Sequence, residues 1–178
     1  MNIFFVDYDP VVAAQSLCDK HVVKMVLESA QMLSTAQHIL GYGWLNKEEN
    51  FYRKAHVNHP CNIWIRQSYK NYDWLLQHSI SLLKEYNFRY NKEHASTKII
   101  QAACNIPDPF NKTAETDILT TPALAMPDEY KTKDPVESYR NYYIEDKLQN
   151  IDCRWTKREP PQWIKEHLIE STYSNTYL

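Results

Sequence analysis

Only two glycines, Gly41 and Gly43, occur in the 178 residues of this chain. Glycine supplies the positive φ that tight hairpins and phosphate-wrapping loops require. So few of them exclude GxGxxG, Walker and kinase loops, and they disfavour a sandwich or barrel built from many hairpins. Prolines punctuate the chain instead, and three of them stand where a helical pattern begins, each after a residue able to cap it: Asp9-Pro10, His59-Pro60 and Asp134-Pro135. A polar N-cap before Pro at the first helical position is a helix-opening signature. With 43% apolar residues the chain has enough material for a real core. The reading is a mainly α fold, a single compact domain of several helices over residues 1–170. It carries a long proline-rich loop, an aromatic C-terminal tail and a frayed end at 171–178.

Periodicity places the helices. Asn2–Val6 reads as a short extended start. Val11–Leu40 is helical, with a break near Cys18-Asp19 and a stop at Gly41-Tyr42-Gly43. Its core-facing stripe is read as Val22, Val23, Val26, Leu27, Ala30 and Leu33. Residues 42–58 read as a loop. A second helical stretch runs from Pro60 to about Tyr90, broken or continuous, with Ile63, Trp64, Leu75, Leu76, Ile80, Leu83 and Phe88 as its apolar set. Lys98–Cys104 is a short third piece. Asn105–Tyr130, with Pro107, Pro109, Pro122 and Pro127, is expected to be irregular, and a helix from Pro135 to about Leu148 should follow.

Charge and cysteine content narrow the function classes. The formal charge is −2, so no global basic excess advertises nucleic acid. Cys18, Cys61, Cys104 and Cys153 contain no CxxC pair, which argues against a zinc knuckle. No signal-peptide pattern occupies Met1–Leu17 and no apolar run reaches a membrane-spanning length. The expectation is a soluble cytoplasmic protein with reduced cysteines and no membrane partner. Thirteen Tyr, five Trp and five Phe form the informative excess, because aromatic planes suit both cores and base stacking.

Three constellations could carry chemistry. His21, Lys24, Glu28, Gln31, Thr35 and His38 share one face of the first long helix. Such a stripe is the solvated side of an ordinary amphipathic helix unless apolar neighbours enclose it. Val22, Val23, Met25, Val26 and Leu27 do surround it, and an enclosed carboxylate suits acid–base work, which singles out Glu28. Next, no acidic residue lies between Asn50 and Tyr72, where Arg53, Lys54, Arg66 and Lys70 alternate with Phe51, Tyr52, Trp64 and Tyr69. Cations interleaved with aromatics are the local signature of a nucleic-acid surface, or equally of surface cations beside core aromatics. Arg140, Lys147 and the Arg154-Trp155 stretch form a further basic candidate, unless the helix cations simply pair with Glu137, Glu145 and Asp146. His56, Asn58 and His59 cluster, but no carboxylate or cysteine at helical spacing completes a metal site.

Asp19-Lys20-His21, with Glu28 seven residues after the histidine, resembles the phage pyrimidine-dimer DNA glycosylases of the endonuclease V type. Asn58-His59-Pro60, the stretch from Tyr72 to Phe88, and Pro127–Lys147 with Trp155 and Trp163 follow the same order. The chain also resembles a family of phage proteins without assigned function. The glycosylase resemblance implies DNA as partner, host-cell cytoplasm as location, and no metal or organic cofactor. It implies a chain-terminal amine that attacks C1′ of the damaged nucleotide, expels the base and leaves a Schiff base, after which β-elimination can break the strand. Carried onto this chain, the catalytic residues are Glu28, Met1 and His21. The DNA-binding residues are Lys24, Arg53, Arg66, Lys70, Arg140, Lys147 and Trp155. Three departures accompany the likeness. Asn2 is a residue after which Met1 is usually retained, Leu27 and Gln31 stand where the family has arginines, and the pI is near 6.4 rather than basic. Two alternatives stay open: an enzyme acting on free nucleotides or a modified base, and a non-enzymatic phage accessory protein that binds nucleic acid or a host protein.

Overall fold

A computed structural model of the chain describes residues 1–40, 51–105, 110 and 117–176, with side chains to residue 169. Helices carry the fold, and the described residues contain no strand. The order is α1 (Pro10–Ser16), α2 (Asp19–Ile39), α3 (Pro60–Trp64), α4 (Tyr69–Tyr90), α5 (Thr97–Cys104), α6 (Pro135–Tyr142), α7 (Leu148–Asn150) and α8 (Gln162–Thr176). A 3₁₀ turn at Asp128–Tyr130 precedes α6, and a π turn at Tyr143–Lys147 joins α6 to α7.

All three Pro-led starts form as their chemistry requires. Asp9 accepts hydrogen bonds from the Val11 and Val12 amides, Asp134 from Val136, and His59 from Cys61. Each cap satisfies donors that the first helical turn leaves unpaired. The expected break at Cys18-Asp19 is present, since α1 ends at Ser16 and α2 starts at Asp19. The second stretch is also broken, with Ser68 capping α4 through the Asn71 amide. The proposed glycine stop lies outside the described residues, but α2 already ends at Ile39.

α1 and α2 pack on α4, and α5 closes against α2 and α4. Ile3, Phe4, Phe5 and Val6 are buried and sit inside this arrangement rather than in a strand. Phe5 lies between Trp74 at 4.4 Å and Trp64 at 6.2 Å, centroid to centroid. Much of the aromatic excess is therefore core. The stripe assigned to the core needs correction at Val23 and Leu27, which are both 40% exposed. α2 buries Met25, Ser29 and Met32 beside Val22 and Val26, so its wet strip is narrow and runs through Lys20, Val23, Lys24 and Leu27. Ile63 and Phe88 are exposed as well, and Phe88 lies beneath the cations of Lys157 and Arg158.

Two buried polar features bear on stability. Glu85 and Arg89 pair on α4 at 2.8 Å, Arg89 reaches Asp19 at 2.8 Å, and Arg158 returns from the tail to Glu85. Burial alone would raise the Asp19 carboxyl, but hydrogen bonds from Thr156 and the Arg89 guanidinium hold it below its usual range. His78 is the other feature. Its ring stacks on Trp74 at 4.9 Å, and neither nitrogen has a hydrogen-bond partner.

Burial pushes the His78 imidazole down to about 3. The unfolded chain accepts this proton near 6.5, whereas the fold refuses it until far lower pH. Stability is therefore unaffected by this group above about pH 7 and is lost as pH falls below 6.5. At about pH 5 the expected loss is about 2 kcal/mol, read as a lower urea midpoint. His78→Leu should flatten that part of the curve. An unchanged slope in the variant would place the acid sensitivity elsewhere.

Candidate active site

The first two residues are turned back onto α2 by a local device. Asn2 Oδ1 accepts from the Ile3 amide at 2.7 Å and the Phe4 amide at 3.0 Å, an Asx turn. Phe4 adopts φ 42°, a left-handed geometry that costs a non-glycine residue about 1–2 kcal/mol. Asn2 Nδ2 donates to the Ala125 carbonyl at 3.0 Å, which ties the turn to the chain just before Met126. Tyr139 donates to the neighbouring Ala123 carbonyl at 2.6 Å. The segment Ala123–Ala125 thus braces the chain start.

This brace delivers the α-amine to Glu28. The Asn2 amide donates to Glu28 Oε2 at 2.9 Å, and the Met1 amine lies 3.7 Å from the same oxygen. Lys24 Nζ is 3.6 Å from Oε1, one turn earlier on α2. The Glu28 side chain is only 12% exposed and that of Met1 only 2%. Met1 Sδ accepts from Asn62 Nδ2 at 3.7 Å, and the same amide group bonds to the Ala55 and His56 carbonyls. Residues 51–57, through these carbonyls, therefore hold Asn62 of α3 against the Met1 side chain. His59, which caps α3, lies within electrostatic reach of the amine, Glu28 and His56.

His21 has a different setting. It shares the helix face of Glu28, but seven residues of helix separate the two by about 10 Å along the axis. Its Nδ1 is 2.7 Å from the Tyr143 hydroxyl, and its ring lies 4.4 Å from that of Phe4. The Cys153 thiol, 3.2 Å from Cys18 Sγ, and the His21 ring hold the Cys18 thiol below its ordinary range. His21 thus belongs to a cluster beneath the site. Sharing a face does not bring the two side chains together, because seven residues of helical rise keep them about two turns apart.

The basic residues divide. Lys24, Arg53, Lys54 and Lys70 are exposed. Arg66 is half-buried and donates to the Val57 carbonyl at 2.8 Å, so it props the 51–57 segment instead of facing outward. Arg140 donates to the Val6 carbonyl at 2.9 Å and pairs with Asp7 at 3.2 Å. Lys147 pairs with Asp146 at 2.9 Å and covers the Tyr142 ring, and the Trp155 indole donates to the Ser16 carbonyl at 2.9 Å. These last three already have partners within the fold: Asp146 beside Lys147 is one the sequence offers, whereas Val6, Asp7 and Ser16 lie more than a hundred residues from Arg140 and Trp155. Asn2, Asn62 and the capping role of His59 toward Cys61 complete the site. Of these, sequence patterning singled out only His59. Among the described residues no group of three His, Cys, Asp or Glu side chains could hold a metal, and no helix is long and apolar enough to cross a membrane.

In this helical domain an α-amine, a group able to act as a nucleophile when unprotonated, lies beside a nearly buried carboxylate, a group able to accept a proton. The family model for pyrimidine dimer DNA glycosylase matches residues 1–98, a span that contains Met1, Glu28 and His59, and the chain belongs to that family. Comparison with curated proteins and with solved structures finds no match.

Proposed function

We propose that this chain cleaves the glycosidic bond of damaged or modified pyrimidines in DNA, with the Met1 amine as nucleophile and Glu28 as its proton acceptor. The observation that carries the reading is the 3.7 Å approach of that amine to Glu28 Oε2, with the Met1 and Glu28 side chains both largely buried. An α-amine is unprotonated to a useful extent near neutral pH. Its nitrogen bonds to C1′ as the glycosidic bond breaks, and the base departs with the bonding electrons. Glu28 takes one proton from the nitrogen and passes it to O4′ as the C1′–O4′ bond opens, which leaves a protonated imine and returns the carboxylate to its basic form. Removal of a C2′ proton by the same carboxylate then expels the 3′ phosphate, which is the strand-breaking step. Were Met1 removed, the nitrogen of Asn2, 2.9 Å from Glu28 Oε2, would occupy the same role. Lys24, Arg53 and Lys70 are the exposed cations assigned to backbone phosphates, and His21 acts from beneath by fixing Phe4 and the turn that carries the amine.

Borohydride tests this directly, because it reduces an imine to a stable amine. Duplex DNA bearing a pyrimidine dimer or an abasic site should yield a covalent adduct, and mass spectrometry should map it to Met1. Selective acetylation of the α-amine at mildly acidic pH, where lysine ε-amines stay protonated and unreactive, should abolish it. An adduct that survives acetylation would move the nucleophile to Lys24, the amine one turn from Glu28. Absence of any adduct, together with intact damaged DNA, would overturn the reading.

A further inference from the structure

His59 presents a second chemical group at this site. As the N-cap of α3 it accepts the Cys61 amide on Nδ1 at 3.2 Å. A neutral imidazole with Nδ1 engaged as an acceptor must carry its proton on Nε2. Protonation of Nδ1 would set two N–H groups against each other and leave the Cys61 amide unpaired. The surroundings act in the same direction. Burial comes first, then the Met1 amine and His56, and together they outweigh Glu28 and hold the ring below its ordinary range. Three residues further along, Asn62 touches Met1 itself. The first turn of α3 thus packs on the Met1 side chain, and its capping ring is held as a neutral donor.

A neutral imidazole gives up its Nε2 proton only by becoming an imidazolate, so it can stabilise charge but cannot act as an acid near neutral pH. Opening a sugar ring at O4′ requires an actual proton. A departing pyrimidine requires only that the negative charge spreading onto its carbonyl oxygen be met by a donor. We propose that His59 is a catalytic residue whose Nε2–H hydrogen-bonds the carbonyl oxygen of the leaving pyrimidine as the glycosidic bond breaks. The base leaves as a stabilised anion and takes its proton from water. This role rests on the glycosylase reading above.

Two variants separate the donor from the cap. His59→Asn keeps an efficient N-cap acceptor for Cys61 but has no atom at the Nε2 position. Glycosidic cleavage of dimer-containing DNA by the full chain should fall by about 100-fold, the loss typical of one donor to a developing oxyanion. Its urea midpoint should not change, nor should its borohydride trapping on abasic DNA, which has no base to expel. His59→Gln places an amide N–H near the Nε2 position and caps poorly. It should keep cleavage within about tenfold of wild type, since a donor is retained, while its urea midpoint falls. If His59→Asn cleaves at the wild-type rate, or loses cleavage and abasic trapping equally, the role assigned to His59 is overturned. A wild type that neither cleaves nor traps overturns the glycosylase reading beneath it.

Discussion

Glu28→Gln is expected to abolish turnover on damaged DNA while the chain still folds. Glutamine keeps the size of the side chain, and its carbonyl can accept the Asn2 amide in place of Oε2. What it cannot do is take a proton from the attacking nitrogen or remove one from C2′. The rate should fall at least ~100-fold, the lower range for lost acid–base help. The fold loses a partly buried pairing with the Met1 amine and with Lys24, whose side chain is 67% exposed. Pairs of this kind contribute roughly 1 kcal/mol or less, so the urea midpoint should move little. Single-turnover cleavage beside an unfolding curve checks both halves. A Gln variant that keeps its activity removes Glu28 from the chemistry and leaves it a helix residue that anchors the chain start.

Arg89→Met should produce the largest stability change. The guanidinium is fully buried and joins Glu85, Asp19 and the Gln15 carbonyl. Its removal leaves the Glu85 carboxylate, only 2% exposed, with Arg158 alone for compensation. Breaking a buried pair from one side costs about 3–5 kcal/mol, because the remaining charge is desolvated without its partner. Arg89→Met combined with Glu85→Met should recover much of that loss, since well-packed apolar pairs often match buried ion pairs. Equilibrium urea unfolding at constant m-value measures both variants. A single-variant cost near that of an ordinary surface pair would mean that water reaches the network.

Local chemistry was the legible part of this protein. Asp9-Pro10 and Asp134-Pro135 announce helix starts because a cap and its helix lie within three residues of each other. The break between α1 and α2 and the short α5 were legible for the same reason, as both follow from neighbours along the chain. Glu28 stood out because Val22, Val23, Met25, Val26 and Leu27 crowd its helix. Even there the pattern misjudged Val23 and Leu27, since helical periodicity defines an apolar arc but not which edge of it another element covers.

Sequence by itself determined that the chain is mainly helical, where most of its helices begin, and that Glu28 is the carboxylate to examine. Each of these depends on residues a few positions apart. Tertiary structure alone decided that the amine meets that carboxylate, because the brace runs from Asn2 to Ala125, a separation of 123 residues. It also drew His21 away to Tyr143, 122 residues distant, and committed Arg140 to the Val6 carbonyl across 134. Contacts of that range arise only once α1, α2 and α4 have packed and α6 has docked on the chain start. A side chain's type states what it can bind, and the packed fold decides which partner is within reach.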